Sequence, residues 1–329
     1  VLLFPCSRWQ IMINLNNEIK MWSGMLNQEK ESAREHEKNN TGLARDTYWC
    51  SEEKALERYD KLISIGEILL FYAVYSLFEA LGGTWLSLMG GNWETQPFMS
   101  DTLACILMLL FYGGIFYASS RKDKHKEAIL KPTIKIGAAA TIISIGIGGG
   151  FSYYWLLFVE AALQDIPFIK ESTERFLSTG DAVENEPYLW VFCSVVFLGP
   201  IVEELLFRGL IFKQAEKIKN GLFPTILSAI LFGIFHMEFV QSVYTLIMGL
   251  ALGFIYQMTR SLVLVCYLHI LNNFFAAPPP ILETDLFFSL STNLQIVMIL
   301  PAVYLLYRWI KRYRIETNRF IEIENADEY

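Results

Sequence analysis

Residues 201–209 read Ile201-Val-Glu-Glu-Leu-Leu-Phe-Arg-Gly209, inside an apolar stretch that runs from Tyr188 to Phe212. Two glutamates and an arginine conflict with that setting. On an insertion scale a charged residue costs about 2.5–3.5 kcal/mol at the centre of a membrane helix. Such residues persist where they face one another or a polar cavity instead of lipid. The stretch therefore reads as a membrane span whose charged face is turned inward.

The composition around it agrees. Of 329 residues, 53% are hydrophobic and 19% charged, and the mean hydropathy is +0.33. Those values point to a polytopic membrane protein. Eight apolar segments approach the length of a membrane helix: Leu62–Met89, Thr102–Ser119, Thr133–Phe158, Tyr188–Phe212, Pro224–Val240, Ser242–Met258, Leu262–Ala277 and Leu286–Ile310. The expected fold is all-α, with about eight transmembrane helices enclosing an intramembrane polar cavity. Residues 1–60 form a polar N-terminal extension, 61–312 the membrane domain, and 313–329 a short polar tail.

The loops supply an orientation. Arg121, Lys122, Lys124, Lys126 and Lys131 fall on one side, with Lys213, Lys217, Lys219, Arg260, Lys311, Arg312, Arg314 and Arg319. The longest loop of the other side, Val159–Pro187, holds Lys170 and Arg175 against seven acidic residues. The positive-inside bias then puts both termini in the cytoplasm. No basic face of the kind nucleic acid needs is present, and the net charge is -7. The five cysteines are scattered, without a CxxC pair, which excludes a disulfide framework and a thiolate metal site. Gly146–Phe151 offers small residues for close helix packing, and Pro278–Pro280 reads as a rigid turn.

Four features at membrane depth carry the chemistry. Glu204 and Arg208, four apart, share a helix face and can pair. Glu203 points about 100° away from Glu204 and lacks such a local partner, which leaves it free to act as a base. Pro200 removes one helical hydrogen bond just before them. Phe232-Gly-Ile-Phe-His236 places a histidine on another segment, and His269 and Asn273 share one face of a third. Glu79, deep in the first segment, reads as structural or as lining the cavity. No HExxH motif occurs, since His36-Glu37 has no second histidine after it. No aspartate lies deep in any segment, and no serine sits in a GxSxG setting. What remains is a glutamate and a histidine to activate water, with a histidine and an asparagine as donors toward an oxyanion. An ion- or proton-coupled transporter could use the same groups, although no internal repeat is evident.

EELLFR (Glu203–Arg208), FGIFH (Phe232–His236) and HILNN (His269–Asn273), in that order, resemble the EExxxR, FxxxH and HxxxN motifs of the CAAX prenyl protease and bacteriocin-processing family of intramembrane endopeptidases, and more its prokaryotic branch. The likeness covers residues 188–277. It implies hydrolysis by water that Glu203 and His236 activate, an oxyanion hole of His269 and Asn273, and ordering of the site by Glu204 and Arg208. It also implies a prenylated CAAX protein as substrate, cut after the modified cysteine. The location would be the cell membrane in a prokaryote and the endoplasmic reticulum membrane in a eukaryote. No cofactor is expected; the alternative is a zinc ion held by Glu203, His236 and His269.

Overall fold

In the computed structural model of the chain, residues 43–92, 94–120 and 128–327 are described. The chain divides into two compact units, Val1–Tyr59 and Asp60–Tyr329. Most of the polar extension at residues 1–60, and the basic run Arg121, Lys122, Lys124 and Lys126, lie outside the described residues. The core and the site belong to the second unit.

Among the described residues every regular element is a helix. Lipid offers the backbone no partners, so each spanning segment must close its own hydrogen bonds. In chain order these are α1 (Leu43–Leu88), α2 (Pro97–Ser120), α3 (Ile134–Leu163), α4 (Pro167–Asn185), α5 (Tyr188–Ile218), α6 (Phe223–Phe235), α7 (Phe239–Thr259), α8 (Leu262–Ala276) and α9 (Asp285–Asp327). A single 3₁₀ turn, Pro280–Leu282, follows the first two prolines after α8. In the most apolar window, 44% of residues are buried in α5 and 56% in α7, against 17% in α1 and 11% in α9. The charged helix is therefore central, and α1 and α9 present Leu69, Leu88, Leu300 and Tyr304 outward.

Among the described residues six helices are long and apolar enough to cross a membrane, and α6 and α8 are shorter apolar helices beside them. Helices α6 and α8 have only 13 and 15 residues. At 1.5 Å per residue they extend about 20 and 22 Å, short of a hydrocarbon core of about 30 Å. The segment read as one span from Pro224 to Val240 breaks at Met237, which adopts a left-handed φ of 58°. The chain then returns as α7, antiparallel to α6. Small residues hold the two together: Gly233 lies against Ser242 and Leu246, and Gly253 against Thr225. A Cβ on Gly249 would come within 3.1 Å of the Phe232 ring and 3.2 Å of Ala229 Cα.

The long loop Val159–Pro187 is corrected as well. Helix α3 continues to Leu163, and α4 follows. Ile169 of α4 packs with Val159 and Val240, while Lys170, Glu171, Glu174 and Arg175 face outward. Charge on one face made the segment look like loop; it is a surface helix. The glycine run of α3 packs on α9, with Gly146 against Met298 and Ala302, and Gly149 and Gly150 against Gln295.

Candidate active site

The site begins with a defect in α5. Phe192–Leu198 forms wide turns in which each N–H reaches five residues back, ending with the Gly199 N–H donating to Ser194 O. Continuing that pattern would require an N–H at residue 200 to donate to Val195 O. Pro200 has none. Asn273 of α8 supplies the missing donor: its Nδ2 donates to Val195 O at 2.8 Å. A backbone carbonyl left orphaned at this depth would be costly, so the proline and the asparagine fix the height of α8 against α5. The Asn273→Ala substitution is expected to cost about 1–3 kcal/mol through the unpaired carbonyl, read as a shift in thermal unfolding in detergent. It is also expected to slow peptide hydrolysis by roughly 10²–10³-fold if the amide is an oxyanion donor.

Beyond Pro200, Glu203 and Glu204 diverge. Both Glu204 and Arg208 are 0% exposed, and Arg208 Nη1 donates to Glu204 Oε1 at 2.7 Å. Arg208 Nη2 donates to Gly249 O at 3.1 Å. The guanidinium also lies 4.8 Å from the Phe232 ring centroid. Glu204 Oε1 accepts a second hydrogen bond from His269 Nδ1 at 2.9 Å. Since a carboxylate only accepts, His269 carries its proton on Nδ1 there. Its other nitrogen, Nε2, faces Glu203 Oε2 at 3.6 Å. Glu203 thus has the freer carboxyl of the two, with 17% of its side chain accessible.

His236 closes α6. Its Nδ1 is 2.9 Å from Phe232 O, and because a carbonyl can only accept, that nitrogen is the donor and Nε2 is left to take a proton. The Phe232 ring lies edge-on to both histidines, with centroids 4.9 Å from His236 and 5.7 Å from His269. One fully buried phenylalanine therefore spaces His236, His269 and Arg208. The motif's phenylalanine is a hub, a role that its spacing in the sequence did not disclose.

Glu203, Glu204, Arg208 and His269 thus form one contact network, His236 borders it across Phe232, and Asn273 joins it through α5. Among the described residues no group of three or more His, Cys, Asp or Glu side chains is arranged to hold a metal ion.

The sequence reading overlooked one further group. Asp101, one residue ahead of the expected segment Thr102–Ser119, lies inside α2. Its carboxyl faces Glu79 of α1, which in turn neighbours the Tyr75 hydroxyl. Glu79 had been read as structural or as cavity-lining; it does line a cleft, together with Asp101. The i, i+4 spacing of Tyr75 and Glu79 was the available signal, and the missing piece was the partner across the helix pair.

Residues 185–275, from the end of α4 through most of α8, match the family model "Type II CAAX prenyl endopeptidase Rce1-like". The chain is also similar to the protein named "Putative membrane peptidase YdiL" of Bacillus subtilis (strain 168), at 26% identity over 185 residues, 56% of this chain and 70% of that protein. No solved structure matches the chain. The matched region holds all three motifs and the helices that bring them together, and both similarities support the CAAX prenyl protease and bacteriocin-processing family of membrane endopeptidases.

Proposed function

We propose that this membrane peptidase hydrolyses a peptide bond near the C-terminus of a membrane-associated substrate, by water that Glu203 and His236 activate. The observation that carries the reading is the division of labour between adjacent glutamates. Glu204 is locked by Arg208 and His269, whereas Glu203 keeps an accessible carboxyl beside His269 Nε2. A proton leaves water for Glu203 or for Nε2 of His236 as the oxygen attacks the carbonyl carbon. When the C–N bond breaks, that proton passes to the leaving nitrogen. His269 and Asn273 donate to the oxyanion between those steps. His269 Nδ1 is already engaged by Glu204, so its Nε2 donates only when the ring carries a second proton.

The substrate class we propose is a prenylated CAAX protein or peptide, its lipid held among the helices and its peptide entering from the cytoplasm. The family resemblance supports that class. Purified protein mixed with a farnesylated CAAX peptide is expected to release the C-terminal tripeptide; a folded preparation that releases none would refute it. We propose a metal-free reaction, since a histidine and an asparagine four residues apart on one helix, His269 and Asn273, suit an oxyanion hole better than metal ligation. Turnover unchanged by a strong chelator is the expected result.

The loop charges support an orientation with both termini cytoplasmic, in the cell membrane of a prokaryotic host or the endoplasmic reticulum membrane of a eukaryotic one. A cysteine placed in residues 164–187 is expected to react with an impermeant reagent added outside, and one at Lys217 to stay protected. The reverse pattern would invert the orientation and the side of substrate entry.

A further inference from the structure

A membrane-embedded hydrolase consumes one water per turnover, and water must reach it through protein. Between α1 and α2 lies an open cleft of about 510 Å³, lined by Glu79, Gly83 and Ser87 on one side and Pro97, Ser100 and Asp101 on the other. The α1 residues recur every fourth position, so they form one stripe, and from Ser87 to Glu79 that stripe descends about 12 Å. At about 30 Å³ per molecule the cleft has room for roughly fifteen waters.

We infer that this cleft is the water inlet of the hydrolytic site, its deep end at Glu79 and Asp101 leading past Tyr75 toward Glu203. The inference rests on the hydrolytic reading above. Three observations support it. The deep end of the cleft is lined by two neighbouring carboxyls, Glu79 and Asp101. One shared proton could bridge them, but the remaining lone pairs demand donors that lipid lacks and water provides. The mouth makes no such demand, since Thr84 and Ser87 hydroxyls donate to Ala80 O and Gly83 O of their own helix.

The second observation links the cleft to the site. Glu79 neighbours Tyr75, whose ring centroid lies 4.4 Å from that of Phe235, and the Phe235 ring centroid lies 5.7 Å from that of His236. Tyr75 and Glu79 also lie within electrostatic reach of Glu203. The third observation gives the side. Glu186, just ahead of α5, accepts the Phe98 N–H at 2.9 Å and the Met99 N–H at 3.2 Å. The cleft mouth therefore sits at the α4–α5 end of the bundle. Lys213 and Lys217 lie at the opposite end of α5. Water would then enter from the face opposite the basic loops, and peptide from the other.

Two variants test this, Ser87→Cys at the mouth and Ala80→Cys further in, each compared with the parent protein as a background for its own cysteines. Purified in detergent, both are expected to react with a charged sulfonate-bearing methanethiosulfonate. The bulky adduct at residue 80 is expected to lower kcat at least tenfold with KM little changed, because it blocks water and leaves substrate binding alone. Reaction only with an uncharged, apolar thiol reagent would mean that lipid or the substrate's prenyl chain fills the cleft, and would overturn the inlet. Rapid charged labelling with unchanged turnover would overturn it too. A parent protein that cleaves no peptide refutes the hydrolytic reading, and the inlet with it. An active parent with unreactive cysteines refutes the inlet alone.

Discussion

Arg208→Ala is expected to destabilise the protein by about 3–5 kcal/mol, the cost of leaving one member of a buried ion pair uncompensated. Glu204 and Arg208 are both fully buried. The substitution would strip Glu204 of one of its two donors and leave Gly249 O without the guanidinium that reaches it. Adding Glu204→Gln to Arg208→Ala removes the stranded charge, and the double variant is expected to recover much of the loss. Activity should stay low, because His269 would still lack the carboxylate that orients it. Unfolding of the parent, both single variants and the double in detergent forms the cycle that isolates the pair. If the two losses simply add, the residues are not coupled, and Glu203 is no longer singled out by its neighbour's engagement.

Glu203→Gln is expected to abolish all but about one part in 10² to 10⁴ of the cleavage rate, the usual worth of a positioned general base. The amide keeps the size of the side chain and removes the proton acceptor. Folding should change little, since the Glu203 contact with His269 is 3.6 Å long and partly open to solvent. The rate of tripeptide release checks it, with thermal unfolding as control. A variant retaining more than about a tenth of the parent rate would transfer the base role to His236.

The site was legible because charges in an apolar stretch have few explanations. Glu203, Glu204 and Arg208 stood out by depth, and the face shared by Glu204 and Arg208 followed from helical spacing alone. That His269 completes the Glu204 environment was not legible: the two are 65 residues apart, and pairing across helices leaves no trace in spacing. The bounds of the segment Pro224–Val240 went astray. Hydropathy sees the run as continuous, whereas the turn at Met237 is set by backbone conformation and by the glycine-rich packing of α6 on α7. Asp101 escaped for a related reason. A charged residue at the edge of an apolar run reads as loop, and only the partner on α1 shows that it belongs inside.

The Pro200–Asn273 contact has a consequence for how the membrane domain is assembled. Asn273 lies 78 residues after the carbonyl it serves. During synthesis α5 is therefore complete long before α8 exists, and until α8 arrives Val195 O has no donor within its own helix. α5 is thus a helix whose last hydrogen bond is delivered by a later segment. Docking of α8 would be a committing step, since the same movement that satisfies the backbone of α5 brings His269 against Glu204. A chain stopped short of residue 262 would hold both glutamates without the histidine that organises them, so an incomplete chain would carry no organised site.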